Sequence, residues 1–528
     1  MSGTAGDLSI YAALFGSVAE EMGTSYCLSS LSPNIKERQD YSCGLFDADG
    51  RMVAMAPHIP LHLGSMPAAA RSVMDLGPFA PGDLIVLNDP YLSGTHLPDV
   101  TMVAPVFVEG RDEPAFFTVS RGHQSDIGGS TPGSMAAARE LYQEGLIIPP
   151  VRLFAAGELV EDVRRLLLAN VRTPEERWGD LRAQAAAHAI GEARARELTA
   201  RFGLETCWQK MAELMGYTER MTRLAIERIP DGTYEFADAM DDDGFGARDV
   251  RIAVRLTVKG DELSVDFTGS APPAAGSLNA TAAVTASAVH YVVRCLLPRE
   301  VPANEGSARP VTITLPERSV INAARPQAVA GSIETAQRIV DVLLGALGRG
   351  LPGEMPVAGH GSMNSITFGG WDERRGRAFN YYETVGGGGG GNPYGPGADA
   401  MHTHMTNTLN TPVEALEMAY PLRVLEYAVR DGSGGHGAHP GGEGTRRIWQ
   451  ALAPCTVSLL ADRRLNAPWG AHGGGAGTPG RDRILRRGGE ELPLPAKGSV
   501  RLEAGDVVIV ETAGGGGWGA ADDADNTL

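Results

Sequence analysis

The chain has 528 residues, 43% of them apolar and 21% charged, the proportions of an ordered globular protein, and at roughly 150 residues per domain it has room for about three to four domain-sized units. Sixty-four acidic against 46 basic residues leave a net charge of −18, which repels phosphate backbones and anionic bilayers and so excludes nucleic acid and membrane surfaces as expected partners. Glycine is the outlier at 68 residues, yet with 34 prolines it stays below the low-complexity range, which predicts tight turns and close backbone approaches rather than disorder.

Ile10, Leu14, Val18 and Met22 recur every four residues with no proline between them, predicting a first helix with one buried face that ends near Gly23. The Asp/Gly turn between Gly44 and Ala54 predicts a hairpin, and strand-like runs follow at Asp83 to Asn88 and Ala115 to Ser120. From Glu158 to Arg228 the composition shifts to Ala, Leu, Arg and Glu, which favours long helices. Short strands return at Arg251 to Leu256 and Glu262 to Phe267, and a helix is expected at Glu334 to Leu347. Glycine clusters then stand at 386–391, 473–475 and 514–517 with no common period. The expected class is α+β and multidomain, with a mixed α/β region at 1–155, a helical segment at 156–230, a β-rich unit at 231–330 and a Gly-rich α+β region at 331–528.

Five scattered cysteines, Cys27, Cys43, Cys207, Cys295 and Cys455, form no CxxC and suggest neither a disulfide framework nor a thiolate metal site; most are expected to be buried thiols. No basic segment followed by a long apolar run opens the chain, and the longest apolar runs are strand-sized, so the expected location is cytoplasmic.

Two His-x-x-Asp units carry the most chemistry: His96 with Asp99, and His123 with Asp126, each expected in a loop just after a strand. Neighbouring strands would bring imidazole and carboxylate together on a borderline or hard divalent ion, the alternative being loop histidines hydrogen-bonded to nearby carboxylates. His402 and His404 are expected on one face of a strand, able to bind metal or to point into a polar cleft. The glycine clusters are not phosphate loops, because no G-x-x-x-x-G-K-[ST] is present and Gly386 to Gly391 runs into Asn392-Pro393. They are expected to be flexible or closely packed loops, and Asp241-Asp242-Asp243-Gly244 a solvated turn.

Together, Ser32-Pro33-Asn34-Ile35-Lys36-Glu37-Arg38, Asp40-Tyr41-Ser42-Cys43, Asn88-Asp89-Pro90-Tyr91, Gly94 to Asp99 and Gly122-His123 through Gly129 resemble the hydantoinase B/oxoprolinase family. So do Gln143-Glu144-Gly145, Asn170-Val171-Arg172, Asp266-Phe267-Thr268-Gly269, Met405-Thr406-Asn407-Thr408 and Gly514 to Gly517. The resemblance spans nearly the whole chain and departs at His439-Pro440, where relatives commonly carry Arg. It implies a hetero-oligomer with a hydantoinase A-type subunit that uses the ATP, and one divalent metal (zinc, manganese or iron) held here by Asp40, His96, Asp99 and His123. Asp126 is the expected group for orienting a water or a ligand imidazole, with His404 as a further catalytic candidate. The implied activity is ATP-dependent hydrolysis of a cyclic amide; a ketone carboxylase subunit and a scaffold with a structural metal are the alternatives.

Overall fold

The structure is a computed structural model that describes residues 5–56, 58–92 and 94–521. Among these residues the chain is multidomain and α+β, as its composition predicts. Its N-terminal part comprises α1 (Ala5–Ser29), α2 (Pro33–Lys36), β1 (Tyr41–Asp47), β2 (Met52–Met55), α3 (Ser65–Met74), β3 (Leu84–Leu87), β4 (Asp99–Val106), β5 (Phe116–His123), β6 (Val151–Ala155) and β7 (Glu158–Leu159). The strands form an antiparallel sheet in the order β2-β1-β5-β4-β3-β6-β7.

Three helices follow, α4 (Glu161–Ala169), α5 (Pro174–Phe202) and α6 (Leu204–Glu227). On one face of the sheet Phe15, Val18, Met22 and Tyr26 of α1 pack with Ala183 and Ala187 of α5. On the other, Met66, Ala70 and Val73 of α3 meet Phe46, Ile85 and Val103. A sheet covered on both faces needs apolar side chains on both, which is why β3 reads as an unbroken Leu-Ile-Val-Leu run. The first helix runs past Gly23 to Ser29. Gly23 is there for clearance rather than termination, since a Cβ on it would lie 2.6 Å from the His58 ring.

Strands β8 (Gly232–Asp242), β9 (Arg248–Lys259), β10 (Glu262–Asp266) and β11 (Val311–Thr314) form a second sheet against α7 (Ala282–Cys295) and α8 (Ser332–Gly350). The Asp241 to Gly244 segment is not a solvated turn. Asp241 is buried and its carboxylate accepts from the backbone N–H groups of Arg464, Leu465 and Asn466, while Asp243 accepts from those of Phe245, Ala247 and Ala275. Buried amides need acceptors, and these carboxylates supply them.

The remaining elements are β12 (Ser365–Asp372), β13 (Arg377–Thr384), α9 (Val413–Ala419), β14 (Leu422–Arg430), β15 (Gly444–Ala451), β16 (Cys455–Leu460), β17 (Arg481–Leu485), β18 (Glu491–Pro493), β19 (Lys497–Leu502) and β20 (Val507–Glu511). They build two sheets, β13-β12-β16-β19 and β14-β15-β20-β17-β18, that share one core around Phe368, Trp449, Val457 and Val508. All five cysteines are free thiols, with Cys43, Cys207 and Cys455 buried, Cys27 half-buried and Cys295 exposed.

At one end of this double sheet the glycine clusters are packed together, not flexible. Gly388 N–H donates to Ala513 O, Gly391 to Gly516 O, Gly435 to Gly515 O, Gly442 to Gly389 O, Gly515 to Gly442 O and Gly517 to Gly475 O, at 2.8 to 3.1 Å. Each segment thus bonds to several others, which requires backbones to approach on every side. A Cβ on Gly388 would sit 1.9 Å from Gly442 O, and one on Gly515 1.8 Å from Gly389 O. That clearance accounts for much of the glycine excess. Gly388→Ala and Gly515→Ala are each expected to lower unfolding stability by at least about 3 kcal/mol, whereas Gly395→Ala, with no atom within 4 Å of the new methyl, stays within about 0.5 kcal/mol in the same denaturant titrations.

Candidate metal centre

The connection from β3 to β4 is a tight loop pinned by Asn88, whose Nδ2 donates to Leu97 O and Leu146 O and whose Oδ1 accepts from Ile148 N–H. This places His96 at the loop's end and Asp99 as the first residue of β4. Directly opposite Asp99 in the β4/β5 ladder stands His123, the last residue of β5 rather than a loop residue. Antiparallel pairing therefore brings the two sequence motifs together. Asn34 Nδ2 donates to His123 O, and His123 N–H to Asp40 O, fixing the strand end.

His96 Nε2, His123 Nδ1 and Asp99 Oδ1 form a nearly equilateral triangle, with sides of 3.1, 3.2 and 3.3 Å. Ligands about 2.0 to 2.1 Å from a tetrahedral ion lie about 3.3 to 3.4 Å apart, so the triangle has the spacing of three ligands on one divalent metal. The residues are buried and open on a cavity of about 20 Å³, also lined by Asp40, His62, Tyr382, Thr384 and Thr406, a space for about one water or one ion. Two imidazoles with carboxylate suit zinc, manganese or iron.

The surroundings set the ring states. His96 Nδ1 lies 3.3 Å from Ala330 O, which fixes its proton there and leaves Nε2 free to ligate. The His123 ring stacks on Tyr382 at 4.2 Å and 12°. Burial holds His123 and His62 below the ordinary imidazole range, favouring the neutral rings a ligand set needs. Burial also opposes charge on His96, but the Asp99 carboxylate outweighs it and raises that ring. Desolvation alone would raise Asp99; the charge of His96 and hydrogen bonds from three histidines instead hold it well below the carboxylate range.

Of the residues singled out in the sequence, the structure brings His96, Asp99 and His123 within 4.8 Å of one another. Asp40 lines the same cavity but stands outside that group, its Oδ2 3.7 Å from Arg38 Nη1. Asp126 is not brought to the cavity. It is buried, and its two oxygens are taken by the Arg172 backbone N–H and by Arg172 Nη1 at 2.9 Å, so it fastens the segment behind His123 instead of orienting a ligand. His404 is not on a strand; it has left-handed backbone with φ 55, and it sits beside Tyr291 Oη at 3.3 Å and Asp341 Oδ1 at 4.0 Å. His62, which no sequence pattern singled out, reaches the centre from the one-turn helix Pro60–His62, its Nε2 3.5 Å from Asp99 Oδ2 and its Nδ1 2.8 Å from Ser42 Oγ.

The family model for hydantoinase B/oxoprolinase matches residues 5–521. This chain belongs to that family. It is 36% identical to 5-oxoprolinase 1 of Arabidopsis thaliana over 97% of this chain and 42% of the plant protein, so it spans about two fifths of that relative's length. It is 33% identical to a putative D-/L-hydantoinase subunit of Pseudomonas sp. strain NS671, covering 95% of this chain and 88% of that one. The crystal structure of ATP-dependent caprolactamase from Pseudomonas jessenii superposes with a TM-score of 0.90 at 29% identity, over 100% of this chain and 95% of that chain. No described helix is long and apolar enough to cross a membrane.

Glu334, at the start of α8, accepts from Ser362 Oγ at 2.6 Å and from Met363 N–H at 2.8 Å, and Met363 lines the cavity. Burial pushes its carboxyl from 4.5 up to about 7. Between those values the native state binds more protons than the unfolded chain, so stability falls as pH rises through the window and levels off above it. Denaturant titrations from pH 4.5 to 7.5 are expected to show wild type losing up to about 3 kcal/mol more than Glu334→Gln.

Proposed function

We propose that this chain is the metal-bearing subunit of an ATP-dependent cyclic-amide hydrolase, completing hydrolysis of a substrate that a hydantoinase A-type partner phosphorylates. The observation that carries the reading is the buried triangle of His96 Nε2, His123 Nδ1 and Asp99 Oδ1. Its setting in a family with hydantoinase, oxoprolinase and caprolactamase relatives supports it, as does the absence of a phosphate loop from the sequence, which leaves ATP to the partner.

His96, Asp99 and His123 would hold the ion, with Asp40 as the fourth group on the cavity wall. When bound, a divalent ion supplies Lewis acidity and lowers the pKa of water. The rest is the work of the chain itself. Tyr382 fixes the plane of His123 by stacking, and Thr95 Oγ1 and His62 Nε2 hold Asp99 Oδ2, so the carboxylate presents Oδ1 inward. His62 is kept neutral by burial, with Nε2–H toward Asp99 Oδ2 and Nδ1 on Ser42 Oγ, so it orients the ligand carboxylate and takes no proton at Nε2. Ile59, Leu61 and Ile333 close the wall against bulk water.

The complex of this chain with its partner, assayed with ATP on a panel of hydantoins, lactams and ketones, tests the reading. Ring-opened product that requires both subunits and ATP is expected. His123→Ala is expected to lower product formation at least about a hundredfold while the partner still co-purifies, and chelation is expected to do the same to wild type. Carboxylated ketone as the product, or undiminished turnover after metal removal, contradicts it.

A further inference from the structure

We propose that Glu144 is a positioning residue for His96, acting through the backbone on either side of the Ala330 Cα; this rests on the metal-centre reading above. Glu144 is fully buried and lies outside the cavity, and its Oε1 accepts two backbone N–H groups, from Val329 at 2.9 Å and Ala330 at 2.7 Å. The carbonyl of that same Ala330 faces His96 Nδ1 at 3.3 Å. One carboxyl oxygen thus holds the N–H on one side of the Ala330 Cα, and the carbonyl on the other side, in the next peptide unit, sets the tautomer and plane of a ligand imidazole. Gly331 N–H, in the unit that carries Ala330 O, donates to Ser277 O at 2.8 Å, so Glu144 and Ser277 set that carbonyl from the two sides of the Ala330 Cα; without Glu144 the backbone at Ala330 can turn, and His96 loses the alignment that directs Nε2 inward.

The anchored segment leads into α8, which meets the centre again. Ser332 Oγ donates to Thr95 O at 3.2 Å, and Thr95 Oγ1 in turn donates to Asp99 Oδ2. Two ties therefore run from 329–332 into two candidate ligands, and Glu144 holds the first. Gly145, with φ 159, is near-extended, and a Cβ there would lie 2.8 Å from Ile127 Cγ2, so the segment bearing Glu144 is itself packed against the chain that follows His123. Burial pushes the Glu144 carboxyl up to about 8, which makes glutamine a close match in charge as well as in shape at neutral pH.

The test is zinc affinity of the full chain by chelator competition, for wild type, Glu144→Gln, Glu144→Asp, Glu144→Ala and His123→Ala. Glutamine keeps the acceptor oxygen at the same reach and is expected to stay within about threefold of wild type. Aspartate keeps the carboxyl group but is one methylene short, and alanine removes the group. Both are expected to weaken zinc binding about 10- to 100-fold at a stoichiometry of one ion. If the alanine variant is insoluble, the contrast between glutamine and aspartate decides. Aspartate and alanine variants that bind as tightly as wild type overturn the proposal, as does a glutamine variant as weak as the aspartate one. Wild-type uptake lost in His123→Ala upholds the metal centre whatever Glu144 does, whereas a wild-type chain that takes up no zinc overturns the centre and this inference together.

Discussion

Asp99 is a buried carboxylate facing His96, His123 and His62, with 3% of its side chain exposed, and an uncompensated charge there would cost several kcal/mol. Much of the N-terminal half is arranged around that cost. The β4/β5 ladder sets His123 opposite it, the Asn88-pinned loop delivers His96, and Thr95 caps the outer oxygen. A divalent ion in the triangle would give the carboxylate its full counter-charge, where the surrounding histidines alone give only part of it. Stability and chemistry therefore depend on the same group.

The wall of the cavity is supplied from far along the chain, so the centre is complete only when the domains are docked. Ile333 and Met363 belong to α8 and the segment after it, and Tyr382 and Thr384 to β13. That docking is held by a buried charge network. Arg338 Nη2 meets Asp462 Oδ1 at 2.7 Å, Lys497 Nζ meets Asp462 Oδ2 at 3.0 Å, and Arg463 Nη2 meets Asp341 Oδ2 at 2.6 Å and Asp238 Oδ2 at 2.8 Å. Acids and bases alternate, so none is left as an isolated buried charge. The packed glycine segments brace one end of the same double sheet, chiefly through backbone hydrogen bonds.

The sequence revealed those features whose determinants are local. The first helix, the hairpin, α8 and the two His-x-x-Asp units could be read from spacing, because 3.6- and 2-residue periods and turn residues act within a few positions. His62 could not, because a single helical turn carries it to Asp99 and no period marks it. Glu144 meets Ala330 across 186 positions, a contact no local pattern records. His402 to His404 is too short for alternation to mean a strand, and the left-handed backbone of His404 breaks one. Whether a glycine cluster is loose or packed depends on its partners, here segments such as 386–391 and 514–517 that lie more than a hundred positions apart.

The central claim is that one divalent ion sits on the triangle of His96, Asp99 and His123. Anomalous diffraction at the zinc edge from crystals of the full chain loaded with one equivalent of zinc tests it most directly. The account predicts a single strong peak about 2.0 to 2.3 Å from His96 Nε2, His123 Nδ1 and an Asp99 carboxylate oxygen. A peak elsewhere, with that triangle holding no scatterer, would contradict it.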